Sequence, residues 1–139
     1  MSGHSRWSAI VAAAVVGISN LLGGWTPAMT VLLTIAGLDV VSGFVRAGIQ
    51  KRLSSKESWQ GGLKKIMIFV VVALAAQLDA VIGADSLLRN AAVIFYCVSE
   101  SLSVLENVAA AGMPIPQAIK DALAQLSEKK APRPPEDSV

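Results

Sequence analysis

The sequence predicts an all-α integral membrane protein, a bundle of about four transmembrane helices followed by a short C-terminal amphipathic helix. Three observations carry this reading. Of 139 residues, 53% are hydrophobic and only 16% are charged, against about 25% charged in an ordinary soluble domain. The missing charge is absent from long runs of roughly bilayer length. Lysine and arginine, in turn, gather near the ends of those runs, as topology signals do.

The expected bundle covers residues 1–111, with spans at about 7–23, 27–47, 64–82 and 87–108. The first run, Trp7 to Leu22, carries no charge. Its apolar part is only about 24 Å long as a helix, so a short span, an interfacial helix and a signal peptide all compete. A retained span is preferred, because no small-x-small cleavage site follows and Trp7 and Trp25 bracket the run as interfacial anchors. Gly23-Gly24-Trp25-Thr26-Pro27 is turn chemistry, with Thr26 as an N-cap and Pro27 at the first helical position. The second run, Ala28 to Val45, contains one ionisable residue, Asp39. A polar stretch from Arg46 to Lys65 precedes the unbroken run Ile66–Ala76, which continues through Asp79 to Ile82. After Gly83-Ala84-Asp85-Ser86, the fourth run extends from Leu87 to about Ala111, with Arg89, Glu100 and Glu106 inside it.

Gly112-Met113-Pro114-Ile115-Pro116 then stops the helix. Residues 112–128 read as a cytoplasmic amphipathic helix with Ile115, Ile119, Leu123 and Leu126 on one face. The segment 129–139 (KKAPRPPEDSV) is Pro-rich and charged, and is expected to be disordered.

Orientation follows from the basic residues. Arg46, Lys51, Arg52, Lys56, Lys64 and Lys65 lie between the second and third runs, Lys120, Lys129, Lys130 and Arg133 follow the fourth, and Arg6 precedes the first. With four spans, both termini and the basic loop fall on the cytoplasmic side of the membrane. The loop is assigned as a topology signal in contact with anionic lipid, not as a nucleic-acid site.

No phosphate loop, zinc spacing or nucleophile elbow is present, so neither an enzyme, a metal nor a cofactor is expected. The single histidine, His4, sits near the N-terminus, and the single cysteine, Cys97, lies in an apolar run where it serves as a small hydrophobe. What calls for explanation is acid inside the membrane, where a central charge costs about 2.5–3.5 kcal/mol on insertion scales. Asp39 lies about 18 Å along the second span and Glu100 about 20 Å along the fourth, in the same direction. The two carboxylates are therefore expected at similar depth. Asp39 shares its helix face with Ser42, Gly43 and Arg46, and Glu100 shares its face with Ser103, Glu106 and Asn107. Asp39, Ser42, Gly43, Asp79, Glu100, Ser103, Glu106 and Asn107 are the candidate pore or oligomer-face residues, and Arg46 stays with the topology and lipid-contact group. Two readings stay open: a static hydrogen-bonded pair that braces the bundle, or a polar face that can turn toward water. Asp79 and Glu106 are equally compatible with a merely interfacial position.

The ordered set of motifs resembles the toxin-secretion/phage-lysis holin family. The matching elements are Asp39-x-x-Ser42-Gly43, Leu53-Ser54-Ser55-Lys56, Gly62-x-Lys64-Lys65-Ile66 and Leu78-Asp79. Glu100-x-x-Ser103-x-x-Glu106-Asn107 and Gly112-x-Pro114-Ile115-Pro116 complete them, over roughly Trp25 to Leu126. Family members commonly carry an aromatic residue after the first aspartate and Thr before the glycine; here Val40 and Ser42 stand instead. The resemblance implies a non-enzymatic protein that accumulates in the host cytoplasmic membrane, forms homo-oligomers and opens lesions that release an endolysin. The alternatives are a small ion or solute transporter or channel subunit, and a membrane scaffold that recruits a partner.

Overall fold

The computed structural model describes residues 3–130, with side chains through Leu126, and every regular element among them is helical. Helix α1 covers Gly3–Leu21, α2 Pro27–Ile49, α3 Ser55–Ile82, α4 Leu87–Ala110 and α5 Gln117–Lys130. The charged tail expected over 129–139 lies outside the described residues from position 131 onward.

Each boundary has a local cause. Beyond α1 the chain reverses through Gly23 and Gly24, both in the left-handed region, with Gly24 N–H donating to the Ser19 carbonyl at 2.8 Å. Thr26 caps α2 by accepting from Met29 N–H, and Pro27 occupies the first turn, where its missing N–H costs nothing. Ser54 caps α3 in the same way through Glu57 N–H, and Glu57 three residues on gives the capping-box pattern. Gly83 closes α3 at φ 67°. Ser86, by contrast, enters α4 at a left-handed φ of 67° and makes no side-chain cap. A carboxylate from the neighbouring helix replaces it: Asp79 accepts from Leu88 N–H at 2.9 Å and from Arg89 N–H at 2.8 Å.

Three helices, α2, α3 and α4, are long and apolar enough to cross a bilayer. The expected fourth span is not among them. Its segment is helical, but His4 and Arg6 occupy the opening turns of α1, so too little of its length is apolar. Helix α3 begins at Ser55, well before the expected span at 64, because the Ser54 cap draws half of the polar stretch into the helix. At 28 residues it is about 42 Å long, more than the roughly 30 Å of hydrocarbon requires.

Helices α2 and α4 run parallel and share the most extensive contact in the molecule; α3 runs antiparallel, mainly against α4. Met29, Leu32, Ile68, Val72 and Val93, with Leu22, form the buried core between these three. The outward faces are apolar as well: Val41, Phe44, Ile66, Leu74, Val81 and Ile94 are all exposed. In water such a surface would be an aggregation hazard; in a bilayer it is the lipid-facing surface. The chain is a multi-pass membrane protein.

One polar knot ties the end of the bundle at which α1 joins it. The Arg89 guanidinium is buried and donates to the carbonyls of Leu22 and Gly23, while Gln77 Nε2 donates to the Leu21 carbonyl at 3.0 Å. These bonds satisfy carbonyls that the end of α1 leaves without helical partners. A Cβ on Gly23 would lie 2.9 Å from the Arg89 nitrogen and 3.1 Å from the Ala76 Cβ, at φ +75°, so only glycine fits there without displacement. Otherwise α1 stands apart, touching only α3 among the described helices.

The borrowed cap gives a direct expectation. Asp79→Ala removes two acceptors from buried α4 N–H groups and should cost about 1–2 kcal/mol, read as earlier unfolding on titration with a denaturing detergent. Asp79→Asn keeps one acceptor oxygen and should lose less; equal losses would contradict the capping role.

Candidate functional site

The sequence puts one carboxylate midway along α2 and another midway along α4, and the parallel packing of these helices brings them to one level. Asp39 and Glu100 are both buried. Between them lies Lys65 of α3, whose Nζ is 2.6 Å from Asp39 Oδ2 and also contacts Glu100 Oε2. The three side chains retain only 12%, 9% and 19% exposure for Asp39, Glu100 and Lys65. One ammonium thus bridges two carboxylates from two different helices.

Asn107, about two turns beyond Glu100, closes the other side of Asp39. Its Nδ2 lies 3.0 Å from Asp39 Oδ1, 3.0 Å from Ser42 Oγ and 3.3 Å from the Asp39 carbonyl. Ser42 Oγ in turn donates to the Asp39 carbonyl at 3.1 Å. Gly43 lies against this approach, where a Cβ would make an ordinary contact with Asn107 Nδ2 at 3.6 Å. At the far end of the same seam, Gln50 Nε2 donates to the Ala110 carbonyl at 3.2 Å. Helices α2 and α4 are therefore laced together along the half of the bundle away from the Arg89 knot. Among the described residues, the Lys65 bridge is the polar link that joins α3 to this pair there.

Beside the bridge a cleft of about 500 Å³ opens between the first half of α3 and the α2–α4 pair. Ser103 and Glu106 of α4, Arg46 of α2, and Ser58 and Lys64 of α3 line it, with the ion bridge at its side. Glu106 itself is exposed.

The candidate residues fall into three places. Asp39, Ser42, Gly43, Glu100 and Asn107 meet in one polar cluster. Ser103 and Glu106 border the adjoining cleft. Asp79 is at the opposite end, capping α4, and takes no part in the cluster. Of the basic residues read as a topology and lipid-contact group, Lys51, Arg52 and Lys56 are exposed, and Arg46 and Lys64 line the cleft. Lys65 is turned inward to the two acids. Sequence reasoning placed it with the loop because it is adjacent to Lys64. Depth would have found it. Asp79 lies level with the start of α4, and Lys65 is about 21 Å along α3 from Asp79, close to the roughly 20 Å that separates Glu100 from Leu87.

Charges at this depth are tolerable only in company. Truncating one member of a buried ion pair costs about 3–5 kcal/mol, because its partner is left charged and desolvated. Lys65→Met strands two carboxylates at once and should reduce stability in detergent by at least that amount. Adding Asp39→Asn and Glu100→Gln to Lys65→Met should recover most of the loss, because the uncompensated charge disappears. A Lys65→Met protein as stable as wild type would remove the bridge from the account.

Comparison with known proteins places this geometry. Residues 16–128 match the Bacteriophage holin family. A probable holin of Bacillus phage phi105 is 34% identical over 95 residues, covering 68% of this chain and 70% of the relative. An uncharacterized protein of Halalkalibacterium halodurans is 39% identical over 126 residues, 87% of this chain and 92% of the relative. A 14.9 kDa uncharacterized protein of Clostridium perfringens is 36% identical over 111 residues, 79% and 84% of the two chains. No solved structure matches the chain. The matched segment takes in the three long apolar helices, the polar cluster between them and nearly all of α5, and the chain belongs to the bacteriophage holin family.

Proposed function

We propose that this protein accumulates in the bacterial cytoplasmic membrane, self-associates there and opens lesions through which an endolysin reaches the cell wall. Family membership supports the holin role. The observation that carries the mechanism is the Asp39–Lys65–Glu100 bridge, a charged cluster hidden among three apolar helices. Hidden, its cost is held down by the ammonium that both carboxylates share. Hydrated, it also costs little, because water replaces those partners. Two packings of the same helices thus lie close in energy, and association or a change in the bilayer can select between them. In the closed packing α3 covers the acids of α2 and α4. In the open packing the α2–α4 seam turns toward water and lines the lesion, with Asp39, Ser42, Glu100, Ser103 and Asn107 on its wet face.

Helix α1 is the short fourth span in this reading. Its apolar length from Trp7 is below the usual range, and thinning of the bilayer or a snorkelling Arg6 would accommodate it. The basic residues then put the Lys51–Lys56 turn and both termini in the cytoplasm. Reporter fusions at Ser55 and after Leu126 should report the cytoplasm, and one at Asp85 the exterior. A fusion at Ser2 tests α1 separately, since an exterior signal there means three spans.

Controlled expression in bacteria tests the function. Membrane potential should persist during accumulation and then collapse abruptly, with release of a co-expressed muralytic enzyme. A steady, ion-selective conductance with no enzyme release would contradict the lesion reading. Glu100→Gln keeps the shape and much of the hydrogen bonding but removes the charge that water stabilises, so it should delay or abolish the collapse at matched membrane abundance. Ser103→Ala, on the same helix without a charge change, should act more mildly. Unchanged timing for Glu100→Gln would reject a role for its charge in opening.

A further inference from the structure

The cleft beside the ion bridge holds more than lysis requires. Its position along the membrane normal follows from helix length. The 42 Å of α3 exceeds the hydrocarbon thickness by about 12 Å, or roughly eight residues. With Asp79 and Gly83 at the opposite surface, that excess is Ser55–Gly62, which supplies most of the α3 wall of the cleft. Trp59 within it is 70% exposed, as an interfacial anchor would be. The cleft therefore lies in the headgroup layer on the Lys- and Arg-rich side, and its volume is within the range of small-molecule pockets, about 300–1,000 Å³.

Its lining has both signs of charge. Arg46, Lys64, Glu57 and Glu106 all line it, and the bridge beneath adds two acids against one lysine. The cleft as a whole has one more acid than base among the described residues, unlike the basic turn outside it. An anionic headgroup would enter against that surplus; a neutral, non-ionic one would leave the charged mouth without partners. Arg46 lines the cleft, its Nε meets no acceptor, and no carboxylate among the described residues pairs with its guanidinium, which leaves a positive charge at the cleft wall open to an anionic oxygen.

We propose that the mouth of this cleft binds the headgroup of an aminophospholipid, a phosphate diester bearing a primary ammonium. Arg46 and Lys64 hold the phosphate oxygens, and Glu106 and Glu57 accept from the ammonium. Such a headgroup adds no net charge and brings both an acceptor for Arg46 and donors for the acids. The ammonium must carry its hydrogens, because a trimethylated amine has none to donate. Bound there, the lipid wedges between the first half of α3 and the α2–α4 pair, above the Lys65 bridge. The site needs only a membrane-embedded bundle, so it stands or falls independently of the lesion reading.

The full chain is reconstituted in bilayers of phosphatidylethanolamine, phosphatidylcholine and phosphatidylglycerol in equal parts, extracted in mild detergent and weighed with its retained lipids by native mass spectrometry. Phosphatidylethanolamine should be retained over phosphatidylcholine by about tenfold, equivalent to 1.4 kcal/mol. Arg46→Gln and Glu106→Gln should each abolish that preference while preserving helix content by circular dichroism. Preferential retention of phosphatidylglycerol would overturn the proposal in favour of a purely basic site, and equal retention of all three lipids would show a cleft filled by water. A preference that survives both substitutions would place the lipid elsewhere. Should a variant fail to fold, the ethanolamine-to-choline contrast on the wild-type chain decides alone.

Discussion

A lysine held between two carboxylates from different helices is the constraint on which the rest of this bundle depends. Each of Asp39, Lys65 and Glu100 would be a liability in a bilayer if left alone. Their mutual attraction fixes which faces of α2, α3 and α4 must meet. It also fixes the register, since a displacement of one turn, about 5.4 Å, would break every contact in the cluster. The apolar core of Met29, Leu32, Ile68, Val72 and Val93 supplies packing but little direction, because lipid tails solvate those side chains nearly as well as their neighbours do. Polar contacts therefore carry the specificity.

The two ends of the bundle are built differently. At one end, Asp79 and Arg89 spend their charges on backbone groups, capping the start of α4 and the end of α1. These contacts end on backbone groups at helix termini, as suits a permanent joint. At the other end, Asn107 and Gln50 lace α2 to α4, while α3 is held across a cleft by Lys65. The joint that a change of packing would separate is thus the one already beside a cavity.

Much of this was legible in the sequence, because a bilayer imposes strong constraints. The lengths of the apolar runs located α2, α3 and α4, and Thr26-Pro27 and Gly83 marked their ends. Equal depth for Asp39 and Glu100 followed from counting at 1.5 Å per residue. Three features escaped. Ser54-x-x-Glu57 is a helix-start signal inside a segment that composition reads as loop, so α3 proved longer than its apolar run. Lys65 was hidden by its neighbour: adjacent residues on a helix point about 100° apart, and a Lys-Lys pair at a span boundary reveals nothing about which member turns inward. The role of Asp79 depended on the left-handed conformation at Ser86, which sequence does not disclose. For α1, composition left a choice that the bundle does not force, since little of that helix is packed.

The central claim is that α3 separates from the α2–α4 pair when the membrane is breached, and a distance across the cleft tests it most directly. Spin labels at Gly61 of α3 and Ser103 of α4, in a chain whose one cysteine, Cys97, is replaced by serine, report that distance by pulsed electron resonance in vesicles. The account predicts a single short distance in intact vesicles and a second, longer one that grows in proportion to the release of an entrapped protein. Release with the short distance unchanged would contradict it.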